Sequence, residues 1–182
     1  GFSFSENLMA DISCARILMQ SNQNEAAEYD FSGLLPEQIQ GFGLGVMAAR
    51  CAYYARQLGV SAEKLRVYGP HGQGLVCANS CGPDYDAALS ADLTERTRTA
   101  NLRVRELGFK PYLAPALSSA AVSILRLVRG QEHFGAVPLG GAYFGCRSRM
   151  TPFGVSLVRE ALTPALLEEL QKTHTALEAF EY

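Results

Sequence analysis

No stretch of this 182-residue chain approaches the roughly 18 consecutive apolar residues that span a bilayer. The N-terminus has neither the basic segment nor the apolar run of a secretory signal. A surplus of one charge is also missing. With 16 Lys and Arg against 18 Asp and Glu, the net charge is −2, so no bulk attraction to nucleic acid or an anionic membrane is expected. No C-x-x-C pair occurs, and the five cysteines (Cys14, Cys51, Cys77, Cys81 and Cys146) are odd in number. That suits reduced thiols in the cytoplasm better than a disulfide framework. There is no initiator Met, so Gly1 reads as a cleavage scar on a chain cut from something longer. No internal repeat or low-complexity linker divides the sequence, and its length suits one domain with a real core.

The local signals alternate between strand and helix. Ser3 to Glu6 reads as a capping box opening a short helix, and Arg16 to Ser21 as a short buried strand. Residues 32–45 read as loop, with Gly and Pro throughout. A helix is expected from about Val46 to Leu58, with Met47, Cys51, Tyr54 and Leu58 as its apolar stripe. Leu65–Tyr68 and Leu75–Ala78 read as strands around the turn Gly69-Pro70-His71-Gly72. Longer helices follow over about 84–107, burying Leu89, Leu93, Ala100, Val104 and Leu107, and over about 115–128. Residues 133–160 hold glycine-broken strands, as in an antiparallel meander. Thr163-Pro164 is a cap and first-turn pair for a last helix. The order is α+β, with mixed antiparallel sheets packed with long helices.

Gly43-Leu44-Gly45-Val46-Met47-Ala48 matches G-x-G-x-x-[GA], the pattern of a loop that cradles a dinucleotide pyrophosphate. Such a loop needs a buried strand before it and an acid about 20 residues on to hold the ribose. Pro36 to Gln40 holds one large apolar residue, and Glu63 precedes the next strand instead of ending it. The glycines therefore read as a tight turn feeding a helix, and no cofactor-binding residue is assigned.

The landmarks together say more. A strand ends in Ser21-Asn22. Then come Ser32-Gly33-Leu34, the glycine loop, a helix with Arg50, the turn Gly69-Pro70-His71-Gly72, and Tyr112-Leu113-Ala114-Pro115. This ordered set, over roughly residues 15–182, resembles the C-terminal catalytic half of the lactate/malate dehydrogenase family of NAD-dependent 2-hydroxy acid dehydrogenases. That family carries an S-N-P segment, an S-G-[LF]-P segment, a G-x-G-x-x-L-D-x-x-R loop and helix, and a G-[EG]-H-[GAS] turn. The resemblance implies an α+β substrate-binding domain over 46–182, with 1–45 the remnant of a dinucleotide-binding domain and its connecting loop. It implies His71 as acid/base, Arg50 as the clamp on a substrate carboxylate, and Asn22 as a hydrogen-bond donor. It also implies NAD as cofactor, a small carboxylate substrate and a homo-oligomer. The chemistry wants these types: an imidazole titrates near neutrality, and a guanidinium holds a carboxylate through two hydrogen bonds.

The sequence departs from that pattern. The family's acid, three residues before the arginine, is Met47 here. The Pro of S-N-P is Gln23, and Lys110 stands where a small hydroxyl residue is expected. The half that carries the true glycine fingerprint is not in the chain. Two readings follow. One is an oxidoreductase passing hydride between NAD(H) and a small 2-hydroxy/2-oxo acid when the full protein is intact. The other is a catalytically impaired relative that binds a metabolite or a protein.

Other readings are weaker. His71, Cys77 and Cys81 lack a fourth zinc ligand at a recognised spacing, so no metal site is expected. Gly-Pro-His-Gly-Gln-Gly resembles an esterase oxyanion loop, but no G-x-S-x-G elbow accompanies it. Arg96, Arg98, Arg103 and Arg105, interrupted by Glu95 and Glu106, read as a solvated helix face and not a nucleic-acid stripe. His174 reads as a packing residue on the last helix, and His133 opens a strand without a further signal.

Overall fold

The computed structural model describes residues 17–19, 35–36, 39–109, 120–152 and 154–179, the first of these by backbone alone. The expected helix at 3–12, Asn22, the Ser32-Gly33-Leu34 segment and Tyr112 to Pro115 lie outside the described residues.

A five-stranded sheet runs in the order β1 (Ile17–Met19), β2 (Ile39–Gly41), β5 (His133–Leu139), β6 (Ala142–Thr151) and β7 (Gly154–Leu157). β1 and β2 are parallel, and the other neighbours are antiparallel. The expected meander over 133–160 is therefore present, because glycine and turn residues punctuate its strands. A separate hairpin pairs β3 (Arg66–Tyr68) with β4 (Val76–Ala78), with Val67 opposite Cys77. Among the described residues four helices pack on these strands: α1 (Gly43–Gln57), α2 (Ala87–Glu106), α3 (Ala120–Val128) and α4 (Pro164–Glu178). No described helix is long and apolar enough to cross a membrane.

The region read as loop, 32–45, needs correcting. Ile39 to Gly41 form a buried strand, and α1 starts at Gly43, not Val46. The glycines are not a tight turn: Gly43 and Gly45 lie in the first turn of the helix, and neither has a positive φ. Gly45 is required by packing, since a Cβ there would lie 2.6 Å from Ser123 Oγ on α3. The helix that begins this way spans residue 45, and β2 lies in one sheet with β5 to β7.

Two cores flank the hairpin. One gathers Leu44, Met47, Cys51 and Tyr54 of α1 with Val67, Leu75, Cys77 and Leu93. The other sets Tyr68, Val76 and Ala78 against Phe144, Cys146, Leu166 and Leu170. The expected stripe of α2 is only partly right. Leu93 is buried, but its inward neighbours are Ser90 and Thr97, while Leu107 is exposed. The polar residues are tolerated because they serve the hairpin. Ser90 Oγ accepts from Asn79 N at 3.1 Å, and the neighbouring Thr94 Oγ1 accepts from Cys77 N at 2.9 Å. Asp86 caps α2 by accepting from Leu89 N, and Thr163 caps α4 with Pro164 next in line.

Candidate functional site

The hairpin turn is fixed from three sides. Gly69 (φ +83), Gly72 (φ +130) and Gly74 (φ +85) all adopt the left-handed side of φ, which only glycine occupies cheaply. Gly69 N donates to Gly145 O on β6 at 2.8 Å. Thr173 Oγ1, from α4, donates to Gly74 O at 3.1 Å. Sheet and last helix together hold the turn that carries His71.

His71 is exposed at the surface, yet its ring is tied down by a hydrogen bond. Nδ1 lies 3.0 Å from the carbonyl oxygen of Gly43, in the first turn of α1. A carbonyl can only accept, so Nδ1 bears the proton and donates it. In the neutral ring Nε2 then keeps its lone pair. The protein crowded around the ring pushes the His71 pKa below its ordinary 6.5, the Gly43 hydrogen bond opposes this, and the charge of Arg50 adds to the lowering. That last effect places Arg50 and His71 in one electrostatic neighbourhood.

Helix geometry relates Arg50 to the residue that holds His71. Gly43, Met47 and Arg50 stand at i, i+4 and i+7, on one stripe of α1. Arg50 is half-buried, and partial burial lowers its pKa while Tyr54 raises it. No carboxylate pairs with Arg50 among the described residues. Met47 turns into the core with Leu44, Cys51 and Leu75, 1% exposed. Where the resemblance expects an acid, an apolar side chain fills the interior. Asn22 lies outside the described residues, and of the expected trio His71 and Arg50 are linked by the charge of Arg50 acting on the imidazole.

Two features went unread in the sequence. His133 is no idle strand residue: Gln40 Nε2 donates to Ser148 Oγ (3.0 Å), which donates to His133 Nε2 (3.3 Å). His133 Nδ1 donates in turn to Gln131 O (3.2 Å), and Phe42 stacks on the ring. All three side chains are buried, so this chain of bonds satisfies polar groups inside the sheet. Burial lowers the His133 pKa as well. The second is Glu160, which accepts from Arg66 Nε and from Tyr68 O–H and lies 3.7 Å from Arg147. Burial and this carboxylate push the Tyr68 hydroxyl upward and the Cys146 thiol up to about 12. Neither group touches His71.

The remaining candidates separate. His174 is half-buried against Phe144, with Nε2 donating to Leu139 O, as a packing residue would be. Cys51, Cys77, Cys81 and Cys146 are free thiols. Burial and a hydrogen bond to Cys51 keep the Cys77 thiol protonated. Among the described residues no three His, Cys, Asp or Glu side chains gather as a metal site. Arg96 pairs with Asp92, Arg98 with Glu95 and Gln73, and Arg103 lies over the Tyr54 ring. A cleft of about 410 Å³ opens between Gln73, Tyr85, Thr94, Arg98 and Glu169, and its lining includes neither His71 nor Arg50.

Two depressed imidazoles carry a consequence for stability. His71 and His133 both bind protons less readily in the folded chain than at their ordinary 6.5. The unfolded state therefore takes up more protons as pH falls below 6.5, and stability falls with it, down through the folded pKa values. Urea midpoints at pH 7.5 are expected above those at pH 5.5, with a smaller difference in His71→Gln. An equal difference in that variant would remove His71 from the account.

No family model matches the chain, and no curated protein matches it. Solved structures do match in fold. Malate dehydrogenase from Archaeoglobus fulgidus in complex with NADH has a TM-score of 0.71 and 16% identity, over 90% of this chain and 59% of that one. The enzyme from Aeropyrum pernix has a TM-score of 0.71 and 18% identity, over 96% and 64%. The one from Plasmodium falciparum has a TM-score of 0.71 and 18% identity, over 97% and 66%. The fold is thus the α+β fold of the malate dehydrogenase C-terminal domain, and the chain spans about six tenths of the length of these structures.

Proposed function

We propose that this chain is the substrate-binding part of an NAD-dependent dehydrogenase acting on a small 2-hydroxy/2-oxo acid. The observation that carries the reading is His71, held by Gly43 on the turn between β3 and β4 and under the charge of Arg50 from α1, on a malate dehydrogenase fold. Arg50 binds and orients the substrate carboxylate through its planar fork of donors. His71 exchanges the proton with the oxygen on C2, through the nitrogen that Gly43 leaves free. Gly45, the second glycine of the fingerprint, is required by the approach of Ser123 on α3, so packing alone accounts for it. The NAD that supplies the hydride belongs, in this reading, to a part of the fold this chain does not cover.

The same proposal includes a homo-oligomer. Leu102, Leu107 and Phe109 at the end of α2 are exposed apolar residues that suit such a contact. A second reading has a specific support: Met47 is core, and Gly43 offers His71 a carbonyl instead of a carboxylate. On that reading the site binds carboxylates without turning them over.

One assay separates the two. NADH oxidation by the complete gene product is measured over a panel of 2-oxo acids, beside His71→Ala and Arg50→Ala. Turnover that depends on both residues supports the dehydrogenase. No turnover on any acid, with carboxylate binding retained, supports the binder. Turnover indifferent to both substitutions overturns the site.

A further inference from the structure

Among the described residues no side-chain acid bonds to His71, where the resemblance leads one to expect one, yet the ring is held. The nearest fixed partner is a main-chain atom, Gly43 O, 3.0 Å from Nδ1. We propose that the Gly43 carbonyl is the positioning group of His71, holding Nδ1–H, fixing the ring and leaving Nε2 unprotonated. The proposal rests on the functional reading only for what Nε2 then does; the orientation itself stands on geometry.

Three facts support it. The carbonyl belongs to the first turn of α1, which is rigid because Gly41, Phe42, Gly43 and Leu44 are all buried. The turn carrying His71 is anchored to β6 and α4 independently of α1. The bond between them thus joins two fixed bodies and selects one ring orientation. Finally, Gly43 and Arg50 share a helix stripe, so the element that orients the imidazole also carries the cation.

A carbonyl and a carboxylate differ in one respect that matters. Both select the Nδ1–H tautomer, but only the carboxylate adds a full negative charge that favours the imidazolium. The charge of Arg50 acts the other way, disfavouring the imidazolium. The site therefore keeps the orientation of an acid-supported histidine without its charge. The neutral ring accepts a proton from a hydroxyl at Nε2. It presents a donor to a ketone oxygen only after taking up a proton.

The test reads the ring directly. The chain is labelled with nitrogen-15 in its three histidines, and the signal missing in His71→Gln assigns His71. At pH 8 the expected spectrum shows His71 with Nδ1 protonated and Nε2 bare. The Gly43–Leu44 peptide bond is then replaced by an ester, using the α-hydroxy analogue of leucine at position 44. An ester carbonyl is a weaker acceptor, and the lost N–H sits in the first turn, where it has no partner within the helix. The Nδ1–H to Nε2–H ratio of His71 is expected to fall about fivefold, a change of about 1 kcal/mol. His133, held by Gln131 O, stays unchanged as an internal control. An Nε2–H ring at His71 in the unmodified chain would overturn the proposal, and so would a ratio that ignores the ester. Neither outcome needs turnover, so the proposal and the dehydrogenase reading fail separately.

Discussion

Gly145→Ala is expected to lower the unfolding free energy by about 3 kcal/mol or more and to displace the turn that carries His71. A Cβ at 145 would lie 2.0 Å from Gly69 O and 3.1 Å from Leu44 Cδ2. The first atom is backbone, so no rotamer change relieves the clash. Gly69 cannot move aside freely either, because a Cβ-free approach to Gly74 O and Thr173 already constrains it. The hydrogen bond from Gly69 N to Gly145 O is lost with the shift. His71 stands two residues along, and a displacement of about 1 Å at a catalytic group costs on the order of 10²-fold in rate. Urea denaturation reads the first effect, and the His71 nitrogen-15 signal reads the second. A variant as stable as the parent, with an unchanged His71 signal, would show that this contact does not seat the turn.

The second large effect concerns turnover by the complete gene product. His71→Gln keeps the size of the side chain but cannot exchange a proton, so kcat is expected to fall by about 10² to 10⁴. Arg50→Ala removes charge-assisted hydrogen bonds worth about 3 kcal/mol together, near 10²-fold, and most of this is expected in KM for the acid. The split is the informative part. In the proposed reading His71 acts on the reacting oxygen and Arg50 on the carboxylate, so the two variants are expected to differ in which parameter moves. Two variants that lose the same parameter by the same factor would contradict these separate roles.

How far these residues could be read in advance depended on where their signals lay. Thr163-Pro164 and the glycine-punctuated strands of 133–160 are local signals, and the structure follows them. The start of α1 was hidden because Gly43 and Gly45 are poor helix formers, and only the approach of Ser123, almost 80 residues away, explains Gly45. β2 was hidden for a similar reason. Its central Gln40 looks like a solvated residue until Ser148 is seen to satisfy it. On α2 the buried face is partly polar, so an apolar stripe misplaced Leu107 at the surface. The pairing of His71 with Arg50 is what the resemblance implies, and the charge of Arg50 bears on the His71 ring. The partner of Nδ1 had no letter to announce it, because it is a main-chain oxygen.

The central claim is that His71 and Arg50 act as one site, and a single titration tests it most directly. The His71 pKa is measured by nuclear magnetic resonance in the parent chain and in Arg50→Gln. A neutral side chain of similar reach removes the positive charge that disfavours the imidazolium, so the His71 pKa is expected to rise in the variant. An unchanged His71 pKa would mean that the guanidinium and the imidazole do not share a site, and the account would fail at its centre.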